Sequence, residues 1–351
     1  MPSDQRRKRA PRFVDIAAEA GVSETTVNRV LNERGSVSAE TRSRVVAAAR
    51  RLGVPRILPE TRRNLTRFDV IVAGSGTPYF RRLDLAFQRT MQMLGRKVVM
   101  HRTLIKEGPG DERRVADAIL SPRQKRHGLI VAVRDGALVR TALRHVIDSG
   151  VPVVTLMSDI SDLPRLHYAG IDNYRAGRTI GYLLGRLARR EGQLLLISNA
   201  LSYRAHTERI RGVQDVVGAE FPHLRAGDVR ECHDQQDLCY TATMQAIRAG
   251  GLAAVYNSGA GTPGIMAALR QAGLAGQVML AGHEISAEHR QYIEQGVLDI
   301  VVDQDPDGQV ASGVQHLLHA CGMLEEAPSP EPNDFRLFCR ENLGQRPYLP
   351  E

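Results

Sequence analysis

The 351-residue chain has no run of about 18 consecutive apolar residues, so no segment is expected to span a membrane. Its charged start, Met-Pro-Ser-Asp-Gln-Arg-Arg-Lys-Arg, has no apolar h-region behind it and does not read as a signal peptide; the expected location is cytoplasmic. Cysteine is scarce. None of Cys232, Cys239, Cys321 and Cys339 lies in a Cys-x-x-Cys pair or a His/Cys cluster with zinc spacing. Neither a metal site nor a disulfide framework is indicated, and reduced, buried thiols are expected. The chain also lacks a Gly-x-Ser-x-Gly elbow, a Gly-Lys-Ser/Thr phosphate loop and a His-Glu-x-x-His pair. His206 and Glu208, with Ser202 and Arg209 nearby, can be drawn as a catalytic cluster, but a helix start beside a cleft explains them more simply. No catalytic residue, metal or cofactor is expected.

What is present is unevenly placed. Net charge is +8 overall. Residues 1–67 hold 15 Arg and Lys against 7 Asp and Glu, whereas the remainder balances at 32 of each. A basic head on a neutral body is the electrostatic footprint of a phosphate-backbone binder.

The head also carries a pattern. Ile16, Ala17 and Ala20 form one apolar group at helical spacing; Val27, Val30 and Leu31 form another. Gly21 between them suits the positive φ that ends a helix, and Ser23 suits the cap of the next. The spacing predicts a helix-turn-helix whose second helix starts at Glu24, Thr25 and Thr26 and carries Asn28 and Arg29 outward. Ser38 then caps a third helix, Ala39–Leu52, which closes a small core with Val45, Ala48, Ala49 and Leu52 and turns Arg42, Arg44, Arg50 and Arg51 outward.

The residues Asp15-Ile16-Ala17, Ala20-Gly21-Val22-Ser23, Thr26-Val27, Arg29-Val30, Leu31-Asn32, Val37-Ser38, Thr41-Arg42 and Val45 resemble the headpiece of lactose-repressor family transcription regulators. The resemblance is close over about residues 12–52. It implies that Glu24, Thr25 and Arg29 stand where the family reads bases. Arg29 suits a bidentate contact with guanine, and Glu24 suits cytosine N4 or, alternatively, simply the positive end of its helix. Thr26, Asn28 and Ser38 match phosphate-holding positions. Phe13, Ser23, Asn32 and Ser36 complete the candidate DNA-facing set on the headpiece. The linker, residues 53–67, departs from the family pattern. It has Pro55 and Pro59 without a Pro-Asn, and arginine where the minor-groove leucine of a hinge helix would align. Pro59 suits a first helical position, Ile57, Leu58 and Leu65 are alternative wedges, and Arg62, Arg63 and Arg67 suit phosphates.

From Phe68 onward strands and helices alternate. Apolar runs predict strands at Asp69–Ala73, Lys97–Met100, Gly128–Val133 and Pro152–Met157, then at Gln193–Ser198, Asp228–Cys232, Ala253–Asn257, Val278–Ala281 and Ile300–Val302. Helical patterns separate them, as at Phe80–Leu94, Ala176–Arg190 and Arg204–Val217. Such alternation means parallel sheets with helices on both faces. The fold expected is α + α/β: an all-α helix-turn-helix headpiece over 1–52, a linker over 53–67 and a two-lobed body over 68–351. The N-lobe comprises about 68–171 and 305–335, and the C-lobe about 172–304 and 336–351. The body looks like a periplasmic sugar-binding protein, as the resemblance to the repressor family implies.

Ligands of parallel α/β sheets bind beyond the carboxyl ends of the strands. Candidate effector residues there are Tyr79, Phe80, Asp135, Ser158, Arg209, Asn257, Glu284 and Gln304. Tyr79-Phe80 suit the apolar face of a sugar ring; Arg209, Glu284 and Gln304 match polar positions of sugar-binding relatives. Met157-Ser158 stand where such proteins often carry an acid-arginine pair. Gly259-Ala-Gly261-Thr-Pro-Gly264 is a literal G-x-G-x-x-G, with Glu284 20 residues beyond it. It comes late in the body, whereas a dinucleotide fold wants it on the first strand. A tight turn with N–H groups toward the cleft is the plainer role, and a dinucleotide-binding enzyme or redox-sensing regulator is the alternative function. The tail Phe335–Glu351 has no leucine heptads, so no coiled-coil tetramer is expected.

The partners expected are double-stranded DNA with a near-palindromic operator, read by a homodimer because one short helix reads too few base pairs, and a small sugar- or polyol-like effector.

Overall fold

A computed structural model describes residues 11–32, 37–52, 54, 65–74, 76–106 and 108–344. Contacts divide the chain into two compact units, a headpiece and a body.

The headpiece has three helices: α1 (Phe13–Ala20), α2 (Glu24–Leu31) and α3 (Ala39–Arg51). The Asp15 carboxylate accepts the Arg12 N–H at 2.7 Å and closes the start of α1. Gly21 ends it at φ +63°, a left-handed conformation that glycine adopts without strain. Ser23 caps α2 by accepting the Thr26 N–H at 3.2 Å, and Ser38 does the same for α3 through Thr41 at 3.3 Å. Ile16, Ala17, Ala20, Val27, Val30, Leu31, Val45, Val46, Ala48 and Ala49 make one buried cluster, the helix-period pattern of the sequence realised as a core. One outward assignment is corrected: Arg42 is half-buried, while Arg44 and Arg51 are exposed.

The body holds two sheets. The first has β1 (Thr66–Gly74), β2 (Val98–Lys106), β3 (Gly128–Ala132), β4 (Val153–Leu156) and β5 (His167–Ala169), in the order β2-β1-β3-β4-β5. Its helices are α4 (Pro78–Leu94), α5 (Asp111–Leu120) and α6 (Ala137–Asp148). The second has β6 (Gly192–Ser198), β7 (Leu224–Glu231), β8 (Leu252–Asn257), β9 (Met279–His283), β10 (Ile300–Asp303) and β11 (Arg336–Phe338), in the order β11-β10-β9-β8-β6-β7. With it go α7 (Asn173–Leu187), α8 (Arg204–Glu220), α9 (Gln236–Ala249), α10 (Thr262–Gln271) and α11 (Ala287–Glu294). The pairs β1–β3, β3–β4, β4–β5, β6–β7, β6–β8, β8–β9 and β9–β10 are parallel; β10–β11 is antiparallel. Parallel strands covered on both faces read as continuous apolar runs, and β3, β4, β8 and β9 are buried throughout. The last helix, α12 (Pro306–Ala320), packs on β3, β4 and β5 of the first sheet, whereas β11 joins the second.

Two strands lay beyond the apolar-run rule. His167–Ala169 and Arg336–Phe338 span three residues each, too short and polar to stand out. The run at Lys97–Met100 continues to Lys106 as a strand whose side chains alternate between buried and exposed.

Candidate functional site

On the headpiece, Glu24, Thr25, Asn28 and Arg29 are exposed on α2, above the buried Val27, Val30 and Leu31. Thr26 is half-buried, and its hydroxyl is hydrogen-bonded to Ser23 at 2.9 Å. Asn28 and Asn32 are joined side chain to side chain across one turn, and Ser38 is exposed at the start of α3. Phe13 is half-buried and packs on the headpiece core. Ser36, Arg62 and Arg63, and the linker around Pro59 with Ile57 and Leu58, lie outside the described residues. Leu65 precedes β1, and Arg67 lies within it, its backbone N–H donating to His127 Nδ1 at 3.0 Å.

In the body, a cavity of about 590 Å³ opens between the two sheets at the carboxyl ends of their strands. That volume is in the usual range for small-molecule sites. Tyr79 and Phe80 enter it from the start of α4, edge to face with centroids 5.5 Å apart. The Tyr79 hydroxyl donates to Gln309 at 2.9 Å, and Gln309 in turn donates to the Gln304 carbonyl at 3.0 Å. Arg209, Glu284 and Gln304 also line the cavity. Five of the eight candidates therefore converge.

The other three do not line it. Asp135 pairs with Arg140 at 3.0 Å, accepts the Ser161 N–H and faces a separate pocket of about 220 Å³. Ser158 is buried and accepts the Ala205 N–H at 3.2 Å. The Asn257 amide donates to the Ala260 carbonyl and the Thr262 hydroxyl and accepts the Gly259 N–H, so it is consumed in shaping its loop.

That loop corrects the idea of N–H groups facing the cleft. The Gly259 amide goes to Asn257 and the Ala260 amide to Asp234 Oδ1 at 2.7 Å, which leaves neither to cradle a phosphate. The glycines answer to packing instead. Gly261 has φ +87°, and a Cβ on Gly264 would lie 1.8 Å from the Gln236 carbonyl oxygen of α9.

Glycine also sets the depth of Arg209. On α7, Gly177, Gly181 and Gly185 recur at four-residue spacing; the first two face α8 and the third faces Phe221 just past it, and a Cβ at Gly177 would sit 2.1 Å from the Arg209 carbonyl oxygen. The close approach buries Arg209 to 3 % exposure, with Nε donating to Asn173 Oδ1 at 2.7 Å and Nη1 to the Ser258 carbonyl at 3.0 Å.

Around it stand groups that burial keeps neutral. His206, bonded to the Ser258 hydroxyl at 3.1 Å, is pushed down to about 3 by burial and then by the Arg209 charge. His283 is depressed for the same reasons; its Nε2 meets the Tyr256 hydroxyl at 2.7 Å. His289 is depressed by burial and held by the Glu284 carbonyl and the Thr262 hydroxyl. Glu284 is pushed up to about 8 by burial and by Asp303, with which it shares Arg82. Arg82 approaches Asp303 at 2.5 Å and Glu284 at only 3.8 Å. Glu284 Oε1 accepts from the Gln304 amide, whereas Glu284 Oε2, Gln304 Oε1 and His283 Nδ1 are buried without a hydrogen-bond partner. Three buried polar atoms at one cavity are open to a hydrogen-bonding partner. Arg82 and His289 escaped sequence reasoning. Their signal was weak: an arginine two residues past Tyr79-Phe80, and a histidine five past Glu284.

Residues 68–322 match the periplasmic binding protein domain family, and residues 13–54 match the bacterial regulatory proteins of the lacI family. The chain belongs to the periplasmic binding protein domain family and carries a lacI-family headpiece. It is similar to the sucrose operon repressor of Pediococcus pentosaceus, 26% identical over 172 residues, which is 48% of this chain and 49% of that protein. The regulator MalR of Streptomyces coelicolor is 58% identical over 45 residues, 13% of each chain. These matches span about half or less of the curated relatives. Among solved structures, the ABC transporter solute binding protein of Burkholderia graminis in complex with D-arabinose superposes with a TM-score of 0.72 at 17% identity, over 81% of this chain and 99% of that one. Its fold is the two-lobed α/β fold of this body. No helix among the described residues is long and apolar enough to cross a membrane.

Proposed function

We propose that this lacI-family protein is a sequence-specific transcriptional regulator, most simply a repressor, whose hold on DNA is set by a small sugar-like effector in the interlobe cavity. The carrying observation is the exposed face of α2. Glu24, Thr25, Asn28 and Arg29 project from a capped second helix within the segment that holds all the excess positive charge. In this reading Glu24, Thr25 and Arg29 read bases, while Thr26, Asn28, Ser38 and the neighbouring Ser23, Asn32 and Phe13 fix register on the backbone. One such helix covers too few base pairs to be selective, so the working form is a homodimer on two inverted half-sites in the cytoplasm. The effector acts by binding one lobe arrangement better than the other, which is the sole way its binding energy can alter DNA affinity. Tyr79 and Phe80 cover a ring face, while Arg209, Glu284, Gln304 and His283 take its polar groups. This is binding throughout and calls for no covalent chemistry.

The test is selection of randomised duplexes by the full chain at physiological salt. Enrichment of an inverted repeat is expected, with affinity falling steeply as salt rises. A pool that emerges random would sink the reading.

A further inference from the structure

Arg209 is a buried cation without a countercharge. Its two hydrogen bonds go to neutral acceptors, Asn173 Oδ1 and the Ser258 carbonyl, and no carboxylate lies within ion-pair distance of it among the described residues. Placing an unpaired charge in a site of 3 % exposure is expensive, and buried charges are ordinarily paired. The surroundings supply no relief. His206 and His283 both feel the Arg209 charge and are held neutral. Of the carboxyls lining the cavity, Asp234 accepts from the Asn199 amide and the Ala260 N–H, and Glu284 competes with the fully buried Asp303 for Arg82. Asp303 wins that competition at 2.5 Å, with a second bond at 3.3 Å, and burial then favours a proton on Glu284. With Arg82 taken by Asp303, Arg209 is left at the cavity wall with no carboxylate paired to it.

We propose that the effector is anionic: a small polyhydroxylated molecule carrying one carboxylate or phosphoryl oxyanion, which docks on Arg209 and supplies the missing countercharge. Its hydroxyls meet Gln304 Oε1, Glu284 Oε2 and His283 Nδ1, the buried atoms that otherwise lack a hydrogen-bond partner. A charge-assisted bond in a dry site is about twice as strong as a neutral one, so the oxyanion would dominate both affinity and discrimination. The assignment rests on the cavity being the effector site, and it deepens that reading by naming the class of ligand.

Thermal shift and calorimetry of the full chain with matched pairs test it: gluconate and glucuronate against glucose, and glucose 6-phosphate against glucose. Inorganic phosphate and sulfate serve as bare oxyanions. At least one acid is expected to raise the melting temperature and bind about tenfold or more tightly than its neutral parent. Which acid responds separates a carboxylate from a phosphoryl ligand. Arg209→Gln should abolish the acid response and Arg209→Lys should retain part of it. Should Arg209→Gln fail to fold, the acid-against-parent difference in the native chain decides alone. Neutral parents that equal or exceed every acid overturn the inference, as does a panel in which no acid is distinguished from its parent. DNA binding measured in the same samples separates the two ideas. A neutral sugar that binds and changes DNA affinity sinks the anionic effector and leaves the regulator standing. An acid that binds through Arg209 without changing DNA affinity does the reverse.

Discussion

The headpiece and the cavity present their chemistry in opposite ways. The residues assigned to base reading, Glu24, Thr25 and Arg29, come from one eight-residue helix, stand in solvent and are held by a local cap. The residues offered to a ligand are drawn from Tyr79 to Gln304, are largely buried and owe their protonation to burial and to one another. An exposed reader takes its strength from the duplex's own charge and is screened by salt. A buried receptor takes its strength from desolvated polar atoms, so a single unpaired group counts for far more.

The largest effect that would break this division is loss of the first region altogether. Removing residues 1–64 should leave a folded body, with β1 whole, and reduce operator affinity to the non-specific level, about a thousandfold or more. Fluorescence anisotropy on a selected duplex checks it, and a truncated body that still binds selectively would show that DNA recognition is not confined to the headpiece. Next comes the support of the cavity. Gly177→Ala would force a Cβ against the Arg209 carbonyl, so α7 and α8 must part, at a cost of roughly 3 kcal/mol in denaturant stability. An unchanged midpoint would mean the helices have room to spare.

The same division explains what could be read in advance. The headpiece was legible almost whole because its signals are short-range: an apolar period, Gly21 and Ser23 at the turn, a basic surplus. The sheets were legible because fully buried parallel strands are continuous apolar runs, and the short polar β5 and β11 were not. In the cavity, strand-end placement found Glu284 and Gln304 but also picked Asp135, Ser158 and Asn257, whose side chains are spent on loop amides, hydroxyls and an ion pair. Asn257 is consumed by neighbours within five residues and Asp135 partly so, but Ser158 is taken by Ala205, 47 residues on, and residue type at a strand end does not say which will be free.

Titration sharpens the contrast, because a buried carboxyl should leave a mark on stability that exposed headpiece groups do not. Glu284 ionises at about 8 in the fold against an ordinary value of 4.5, so the folded state keeps a proton that the unfolded chain has released. Its contribution is intact below about pH 4.5 and is lost as pH rises toward 8. The buried His206, depressed from 6.5 to about 3, acts in the other direction and only below pH 6.5. Between pH 6.5 and 8 the carboxyl is thus free of that opposing histidine. Glu284→Gln should flatten the decline there by up to about 1.4 kcal/mol per pH unit. Parallel curves for the native chain and the variant would place the ionisation elsewhere.

The two smallest effects belong to the exposed helix and differ in kind. Arg29→Ala should cost about 1–3 kcal/mol at one base position and relax selectivity there, as loss of a bidentate guanine contact requires. Equal weakening on every operator variant would assign Arg29 to phosphate instead. Ser23→Ala removes the hydroxyl that accepts the Thr26 N–H and frays the start of α2 without touching the exposed Arg29. It should cost about 1 kcal/mol of headpiece stability and weaken all duplexes alike. A change in base preference from Ser23→Ala would mean that the cap itself positions Glu24 and Thr25 against bases, so that part of the reading is done by the turn rather than by the outward face of the helix.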